Sequence, residues 1–127
     1  MLTRYKKMYK KIATGLLSFM PNEKDLQKLM TTMTEYETEP NRQLFLWKEE
    51  EGIIGLIGVL FVEKDLMQII HISVNPSHRG HGLGKKMIKA LRDLYPDPHL
   101  IPDEYTKSFL VKCDISPKIS QSTAYAL

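Results

Sequence analysis

The sequence predicts a single domain of mixed α/β (α+β) class, in which a mostly antiparallel sheet is flanked by helices. Short runs rich in β-branched and apolar residues are separated by tight polar turns, which is typical of antiparallel strands. Other segments repeat their apolar residues every three or four positions, which is typical of amphipathic helices. A chain of 127 residues is long enough to bury one hydrophobic core.

The N-terminal third predicts an edge strand at residues 2–6, followed by two helices. The first helix covers residues 8–19, and its apolar stripe consists of Ile12, Leu16, Phe19 and Met20. Asn22 is predicted to cap the second helix. The apolar residues expected on the inner face of that helix are Leu26, Leu29, Met30 and Met33. Residues 35–40 are predicted to form a loop.

The middle of the chain predicts three strands at residues 43–48, 53–63 and 67–74. The turns Glu51-Gly52 and Lys64-Asp65 are short, so neighbouring strands in this series pair antiparallel. The pattern therefore predicts a sheet that grows strand by strand along the chain.

The C-terminal third predicts a helix at residues 83–94, a short strand at 99–101 and a last helix from Asp103 to Lys112. The apolar residues of the longer helix that face the sheet are Leu83, Met87, Leu91 and Leu94. Because that helix connects the third strand to the short strand, we expect the short strand to pair parallel to the third strand. Residues 114–127 predict a loosely structured tail.

Composition excludes several classes of protein. Charged residues at 26% and hydrophobic residues at 43% are ordinary for a globular domain, and a net charge of +3 does not suggest nucleic-acid binding. The single Cys113 excludes an internal disulfide and a Cys-rich metal site. No segment approaches the ~18 apolar residues of a membrane span, and residues 12–20 lack a signal-peptide cleavage site. We expect a cytoplasmic protein without a metal.

Residues 69–84 combine a strand, a proline, a glycine-rich turn and the start of a helix. The glycines are Gly80, Gly82 and Gly84. Pro76 ends the sheet ladder because it lacks an N–H, and the glycines remove Cβ atoms where amides point outward. A helix start carries roughly +0.5 of an elementary charge and binds anions. The segment therefore predicts a phosphate-binding turn.

Spacing distinguishes among the known phosphate-binding turns. The P-loop pattern G-x-x-x-x-G-K-[ST], aligned on Gly84, meets Arg79 at its first glycine and Lys86 at its hydroxyl position. The dinucleotide pattern G-x-G-x-x-G meets Lys85 at its third glycine. The pattern [QR]-x-x-G-x-[GA] fits every fixed position of residues 79–84 behind a V-x-P strand end. This segment resembles motif A of the GCN5-related N-acetyltransferases, the GNAT family.

The resemblance covers nearly the whole chain, and segments 16–26, 42–50 and 71–79 are similar to acetyltransferase-like proteins of riboflavin-synthesis operons. It implies one domain over residues 1–113, with splayed central strands and a sheet truncated before the family's final hairpin. It also implies acetyl-CoA or coenzyme A as cofactor. The cofactor-binding residues that it implies are Ile72, Ser73, Val74, Arg79, Gly80, His81, Gly82, Leu83, Gly84, Lys85, Phe109 and Lys112.

The implied chemistry is acetyl transfer to an amine, with the amide of Val74 as an oxyanion donor to the thioester oxygen. The family's usual base and acid positions hold Gln68 and Leu110, neither of which can exchange a proton at neutral pH. The substitutes that remain are His71, Glu63, Glu104 and Tyr105. We therefore expect direct attack of the amine on the thioester.

His71 alternates with Gln68, Ile70 and Ile72 on the third strand. We expect it to be a structural histidine on the outer face, because a bulge would be needed to bring it to the substrate.

The acceptor is a small-molecule or protein amine. The resemblance places Glu35, Glu37 and Glu39 in a loop beside the acceptor cleft, where they either attract a cationic amine or form a solvated charged loop. Two functions stay open: an active N-acetyltransferase, and a non-catalytic coenzyme A-binding module associated with riboflavin metabolism. A homodimer is a further hypothesis, in which the partner supplies the cleft wall that the missing hairpin would form.

Overall fold

The computed structural model describes residues 1–112 as a five-stranded sheet covered by helices on both faces. Its elements are β1 (Leu2–Arg4), α1 (Lys10–Leu17), α2 (Leu26–Thr38), β2 (Arg42–Glu49), β3 (Gly52–Glu63), β4 (Leu66–Val74), α3 (Leu83–Leu94), β5 (His99–Pro102) and α4 (Lys107–Lys112). The predicted fold class is confirmed. The predicted tail and Cys113 lie outside the described residues.

The sheet has the order β1-β2-β3-β4-β5, so every strand lies beside its neighbour in the sequence. The first four strands pair antiparallel, and β4 pairs parallel with β5. This agrees with the sequence, since short turns join β2 to β3 and β3 to β4, whereas α3 connects β4 to β5.

Two apolar clusters lie on opposite faces of the sheet. One packs α3 against the sheet, and its fully buried members include Phe45, Ile57, Ile69, Met87 and Leu91. The other packs α1 and α2 against the opposite face, and its fully buried members include Leu16, Leu17, Met33, Leu46 and Leu56. Apolar burial on both faces makes the sheet a rigid base for the edge described below.

A β-bulge interrupts the pairing of β3 with β4. Gly58 lies opposite His71 and Val59 lies opposite Ile69, so that Ile70 is an extra residue on β4. Ile69 belongs to the α3 cluster and Ile70 to the cluster under α1 and α2. His71 contacts α2 as well, so the two bulge residues share one face. The simple alternation expected for this strand is therefore wrong at Ile70.

Helix α2 begins and ends later than predicted. Its N-cap is Asp25, whose carboxylate accepts a hydrogen bond from the Lys28 amide, whereas Asn22 lies inside the 3-10 turn Pro21–Glu23. The C-terminal part of α2 runs to Thr38, so the loop predicted at residues 35–40 is wrong over residues 35–38 and is confined to the residues between Thr38 and Arg42. Asp25 has the extended backbone and the carboxylate of a strong N-cap, and the 3-10 turn before it moves the start of the helix beyond Asn22.

Several residues expected on inner helix faces are instead exposed. In α2 only Leu29 and Met33 of the predicted set are buried, while Leu26 and Met30 are more than half exposed. The buried residues of α2 are Leu29, Thr32, Met33 and Tyr36, which have the i, i+3, i+4, i+7 spacing of one helix face, and Leu26 is the first residue of the helix. The exposed residues at the ends of the other predicted stripes are Ile12, Phe19 and Leu94.

Strand β5 pairs with β4 only as far as Ile69. There the Ile69 carbonyl accepts hydrogen bonds from the Asp103 amide and from the buried Thr106 hydroxyl, at 3.3 and 2.8 Å. The Asp103 carboxylate in turn accepts from the amides of Tyr105 and Thr106. The last helix was predicted to begin after Asp103, but residues 104–106 form a turn and the helix begins at Lys107. The chain therefore turns away from β4, and within residues 1–112 no strand pairs with the last residues of β4 on the side away from β3.

Candidate functional site

The open part of β4 consists of residues 72–74, which we call the free edge. They pair with β3 on one side, but β5 has already diverged on the other. Among the described residues, no strand occupies this side. An unpaired edge carries main-chain donors and acceptors that an extended ligand can bind.

The peptide groups of Ile72 and Val74 point toward the free edge. The amide of Asn75 donates to the Ile54 carbonyl on β3 at 2.8 Å. Peptide groups alternate in direction along an antiparallel strand, so those of Val74 and Ile72 face away from β3. This direction depends on the bulge. The carbonyl of Ile69, before the bulge, points toward β5, and without the extra residue the peptide groups of Ile72 would point toward β3.

Residues 79–85, which we call the glycine turn, follow the free edge. Gly80 and Gly82 have φ of 85° and 73°, a left-handed conformation that other residues rarely adopt. A Cβ atom at either position would meet no protein atom within 4 Å, so the space in front of the turn is open. Gly82 is also the N-cap of α3, whose first-turn amides have no carbonyl within the helix. The turn thus presents a group of backbone donors to an open space.

Arg79 connects the glycine turn to the free edge. Its Nε donates to the Val74 carbonyl at 3.1 Å, and its guanidinium lies 5.6 Å from the centre of the Phe19 ring. The arginine therefore occupies the carbonyl of Val74 and leaves the N–H of that residue for a ligand.

The free edge and the glycine turn line one cavity of about 770 Å³. Phe19, Met20 and Pro21 form another side of it, which we call the 19–21 wall, and residues of α4 with the turn before it form the last. The lining residues from this last side are Tyr105, Ser108, Phe109 and Lys112. The charged side chains that line it among the described residues are all basic, which suits a ligand with anionic groups.

The predicted cofactor-binding residues come together with one exception. Those that line the cavity are Ile72, Ser73, Val74, Arg79, Gly80, Gly82, Leu83, Gly84, Lys85, Phe109 and Lys112. His81 is exposed and does not line it, because the left-handed glycines on either side turn its side chain away.

The candidates for proton transfer are scattered. Glu63 lies at the hairpin end of β4, and the nine-residue strand puts it roughly 25 Å from Val74. Gln68 donates to the Pro102 carbonyl at 3.3 Å, and Leu110 is buried in the α3 cluster. Of the substitutes, only Tyr105 lines the cavity, and it is 43% exposed.

His71 is not on an outer face. It is 4% exposed and lies under α2, where its Nδ1 and Nε2 are 2.5 and 3.0 Å from the Tyr36 hydroxyl and the Glu23 carboxylate. The bulge that sequence reasoning required is present, yet it turns His71 toward α2 and away from the cavity.

The three carboxylates expected beside the acceptor cleft do not line the cavity. Glu35 and Glu37 belong to α2, where Glu35 pairs with Arg42 at 3.9 Å and Glu37 accepts from Tyr5 and Lys10. Glu39 ends the helix. These hydrogen bonds and the ion pair account for Glu35 and Glu37, so of the two alternatives the structure favours a structural, solvent-facing role over a cationic-amine subsite.

Sequence reasoning missed the 19–21 wall and the contributions of His78 and Ser108. Phe19 and Met20 were assigned to a core stripe, and only Met20 is buried. The available signal was the break of the helix at Pro21, since residues that follow a helix end often line sites.

Neither a metal site nor a membrane span is found within residues 1–112. No group of three or more His, Cys, Asp or Glu side chains there could hold a metal ion. No helix in this part of the chain is long and apolar enough to cross a membrane.

Comparison with protein families places residues 9–102 within the model of the acetyltransferase (GNAT) family. The chain belongs to the GNAT acetyltransferase family. The prediction of an acetyltransferase enzyme is thereby confirmed, and so is the resemblance inferred from motif A.

Individual relatives agree with the family assignment. An uncharacterized N-acetyltransferase from Bacillus methanolicus, from the lysA 3′ region, is 69% identical over 115 residues, which are 91% of this chain and 96% of that protein. The aminoglycoside 6′-N-acetyltransferase AAC(6′)-IG from Acinetobacter haemolyticus, solved in its apo form, has a TM-score of 0.70 at 11% identity, covering 91% of this chain and 90% of that one.

A second solved structure contains a ligand. It is an aminoglycoside 6′-N-acetyltransferase complexed with coenzyme A, with a TM-score of 0.60 at 14% identity. The match covers 74% of this GNAT chain and spans about half, 54%, of that protein. At these identities the two solved structures show the shared fold.

Proposed function

We propose that this GNAT-family chain is an acetyl-CoA-dependent N-acetyltransferase that acts on an amine by direct attack on the thioester. The observation that carries the proposal is the meeting of the free edge and the glycine turn in one cavity. The free edge offers main-chain donors and acceptors to an extended arm that contains amides, and the glycine turn offers backbone amides to phosphate groups. Coenzyme A joins such an arm to a diphosphate.

The residues present fit coenzyme A by their chemistry. The amides of the glycine turn would hold the diphosphate, and each hydrogen bond to a charged group contributes about 1.5–3 kcal/mol. Lys85 adds basic charge on the side of the glycine turn. On the α4 side, Lys112 adds basic charge and Phe109 adds an apolar surface. The peptide groups of Ile72 would pair with the amide groups of the pantetheine arm, and the N–H of Val74 would face the thioester. When bound, acetyl-CoA supplies the activated acetyl group.

In the proposed reaction Val74 polarises the thioester carbonyl through its N–H. The amine nitrogen of the acceptor attacks that carbonyl, the C–S bond breaks, and the amine proton passes to the departing thiolate or to water. Of the predicted catalytic residues, Glu63, Gln68 and His71 do not line the cavity. Of the predicted substitutes, Tyr105 lines the cavity and could donate a proton to the thiolate.

Binding of coenzyme A is tested by calorimetric titration. Gly82→Val should abolish it, because the β-branched side chain would be strained at φ of 73° and would fill the open space in front of the turn. Gly15→Val is the matched control, since Gly15 lies on α1 and has open space around it. Undiminished affinity in Gly82→Val would overturn the proposed site.

An exposed lysine should matter much less than the glycine turn. Lys86 is on α3, is exposed and does not line the cavity. A screened surface charge is worth roughly 1 kcal/mol or less. Lys86→Ala should therefore weaken coenzyme A binding only a few-fold in the same titration, and a loss of 100-fold or more would contradict this view of the site.

A second candidate function is a non-catalytic coenzyme A-binding module. The observation in its favour is that Gln68 and Leu110, at the family's base and acid positions, bond to main chain and pack in the core. An amine screen that measures free thiol released from acetyl-CoA separates the two functions. Binding without release by any amine would favour the module. Its association with riboflavin metabolism stays a prediction, as does the riboflavin-operon resemblance.

The partner and its location also stay predictions. The acceptor is a small-molecule or protein amine, and the protein is expected in the cytoplasm without nucleic-acid or membrane partners. A homodimer would give twice the chain mass of 14.7 kDa, about 29 kDa, in light scattering. A mass near 14.7 kDa would exclude it.

A further inference from the structure

A buried polar network lies behind the free edge, on the opposite face of the sheet from α3. It joins three side chains from three elements: Glu23 before α2, Tyr36 on α2 and His71 on β4. They are 0%, 7% and 4% exposed. None of them lines the cavity, so a direct part in proton transfer does not explain them.

Every polar atom of this network has a partner. The Glu23 carboxylate accepts hydrogen bonds from the Lys28 ammonium at 2.9 Å and the Thr32 hydroxyl at 2.8 Å, as well as the His71 contact. An ionised carboxylate can only accept, so Nε2 of His71 carries a proton. In the neutral ring, Nδ1 then accepts from the Tyr36 hydroxyl. The imidazole is thereby held from both sides.

The network is built against the bulge in β4. His71 is one of the two bulge residues, and Gly58 lies opposite it on β3. A Cβ atom at Gly58 would collide with the Tyr36 hydroxyl, so the glycine makes room for the hydrogen bond to His71. The extra residue of the bulge is also what directs the peptide groups of Ile72 and Val74 toward the cavity. The imidazole is the bulge's one polar side chain.

We propose that Tyr36 and Glu23 hold His71 so that the bulge keeps the Val74 N–H directed into the cavity. His71 is then a positioning residue for acetyl transfer and not a general base. This inference rests on the proposed function, since the Val74 N–H matters only if a thioester carbonyl lies against it. A lost hydrogen bond would let the bulge relax and move the donor, and small misplacements of that kind cost large factors in rate.

The chain offers a matched pair of variants for the test. Tyr36→Phe removes one hydroxyl from the network. Tyr5→Phe removes a hydroxyl that donates to Glu37, also on α2, at 2.8 Å, and Tyr5 does not line the cavity. Both variants lose one tyrosine hydrogen bond to a side chain, so a general loss of stability would affect both.

The experiment titrates ¹⁵N-labelled protein with acetyl-CoA and follows the amide signals of Val74 and Gly82. In the wild type and in Tyr5→Phe, both signals should shift. In Tyr36→Phe the Gly82 shift should persist with an acetyl-CoA Kd within about 2-fold of the wild type, whereas the Val74 shift should fall by at least half. With an amine that the free-thiol screen identifies as an acceptor, the kcat for acetyl transfer should fall about 10-fold in Tyr36→Phe with a nearly unchanged KM for acetyl-CoA.

Two further variants divide the network. His71→Asn keeps an acceptor near the position of Nδ1 and loses the contact to Glu23, and His71→Gln keeps a donor near Nε2 and loses the contact to Tyr36. Both should reduce the Val74 shift more than Tyr5→Phe does. Should the Val74 signal respond normally in Tyr36→Phe and in both His71 variants, the positioning role would be refuted while coenzyme A binding stands. An unresponsive Gly82 signal in the wild type would instead refute the proposed function and this inference with it.

Discussion

At the scale of single residues, Gly58 shows how an absent side chain carries a structural role. The Tyr36 hydroxyl occupies the space that a Cβ atom at Gly58 would take. We expect Gly58→Ala to expel that hydroxyl and to lower the free energy of unfolding by about 1–3 kcal/mol, as overpacking of a core does. Urea unfolding measures this. Gly15→Ala is the control, since nothing lies within 4 Å of its added Cβ, and an equal loss in both would contradict the prediction.

Glu23 should make the stability of the protein depend on pH. Burial alone raises the pKa of its carboxyl, but hydrogen bonds from His71, Lys28 and Thr32 lower the pKa by more, so it lies below its ordinary value. A carboxyl with a lowered folded-state pKa contributes stability that is complete above the unfolded value of about 4.3 and is lost as the pH falls through the folded value.

Glu23→Gln tests this dependence. The free energy of unfolding, measured by urea between about pH 3 and 6, should fall less steeply toward acid in this variant than in the wild type. Glu50→Gln, at the exposed turn after β2, should leave the slope unchanged. Parallel acid slopes in the wild type and Glu23→Gln would show that the buried carboxylate is not responsible.

Single residues also mark what sequence could and could not predict. The glycine turn was predictable, because left-handed φ at Gly80 and Gly82 is a local property of the backbone. The burial of His71 was not, because it depends on a bulge and on a helix 35 positions away in sequence. The partner of Glu37 was not predictable for the same reason, because Tyr5 lies 32 positions away in sequence. The ion pair of Glu35 with Arg42 was missed because residues 35–40 were predicted to be a loop, whereas Glu35 lies on α2.

At the scale of elements, the junction of β5 and α4 opens the sheet. The Thr106 hydroxyl donates to the Ile69 carbonyl and accepts from the Asp103 amide at 3.0 Å. Thr106→Val removes both bonds from a fully buried site and should cost about 1–3 kcal/mol of unfolding free energy. Thr106→Ser keeps the hydroxyl and should retain most of that stability in urea unfolding. Equal losses in the two variants would assign the effect to packing.

The two longer helices differed in how well the sequence predicted their bounds. The bounds of α3 were predicted to the residue, because Gly82 and Pro96 punctuate a strong apolar stripe. The start of α2 was not, because Asn22 and Asp25 both have capping side chains and only the 3-10 turn decides between them.

At the scale of the whole molecule, the order of β2 to β5 followed from connection lengths, whereas the place of β1 beside β2 did not, because α1 and α2 separate those two strands. Tight turns can join only antiparallel neighbours, and a helix is needed to return to a parallel one. The cavity was less predictable, since its walls come from segments near residues 20, 75 and 108 that only the complete fold brings together. The free edge, the glycine turn and α4 were anticipated through the family resemblance, and the 19–21 wall was not.

Ligand binding should stabilise the entire domain by mass action. Coenzyme A at 100 times its Kd adds about 2.7 kcal/mol to the free energy of unfolding, which raises Tm by about 10 °C for a domain of this size. Pantetheine lacks the diphosphate and should give a much smaller shift at the same concentration. Thermal unfolding followed by circular dichroism measures both. Equal rises in Tm with the two compounds would argue that the glycine turn does not bind the diphosphate.

The arginine that takes the Val74 carbonyl also limits what else can join the sheet. Exposed strand edges invite pairing between copies of a protein and so promote aggregation. Here an incoming strand would find the peptide groups of Ile72 and the N–H of Val74, and would then meet a carbonyl already occupied by Arg79. So short a ladder suits a small linear molecule better than another polypeptide, and the Arg79 bond therefore limits strand-to-strand pairing at this edge.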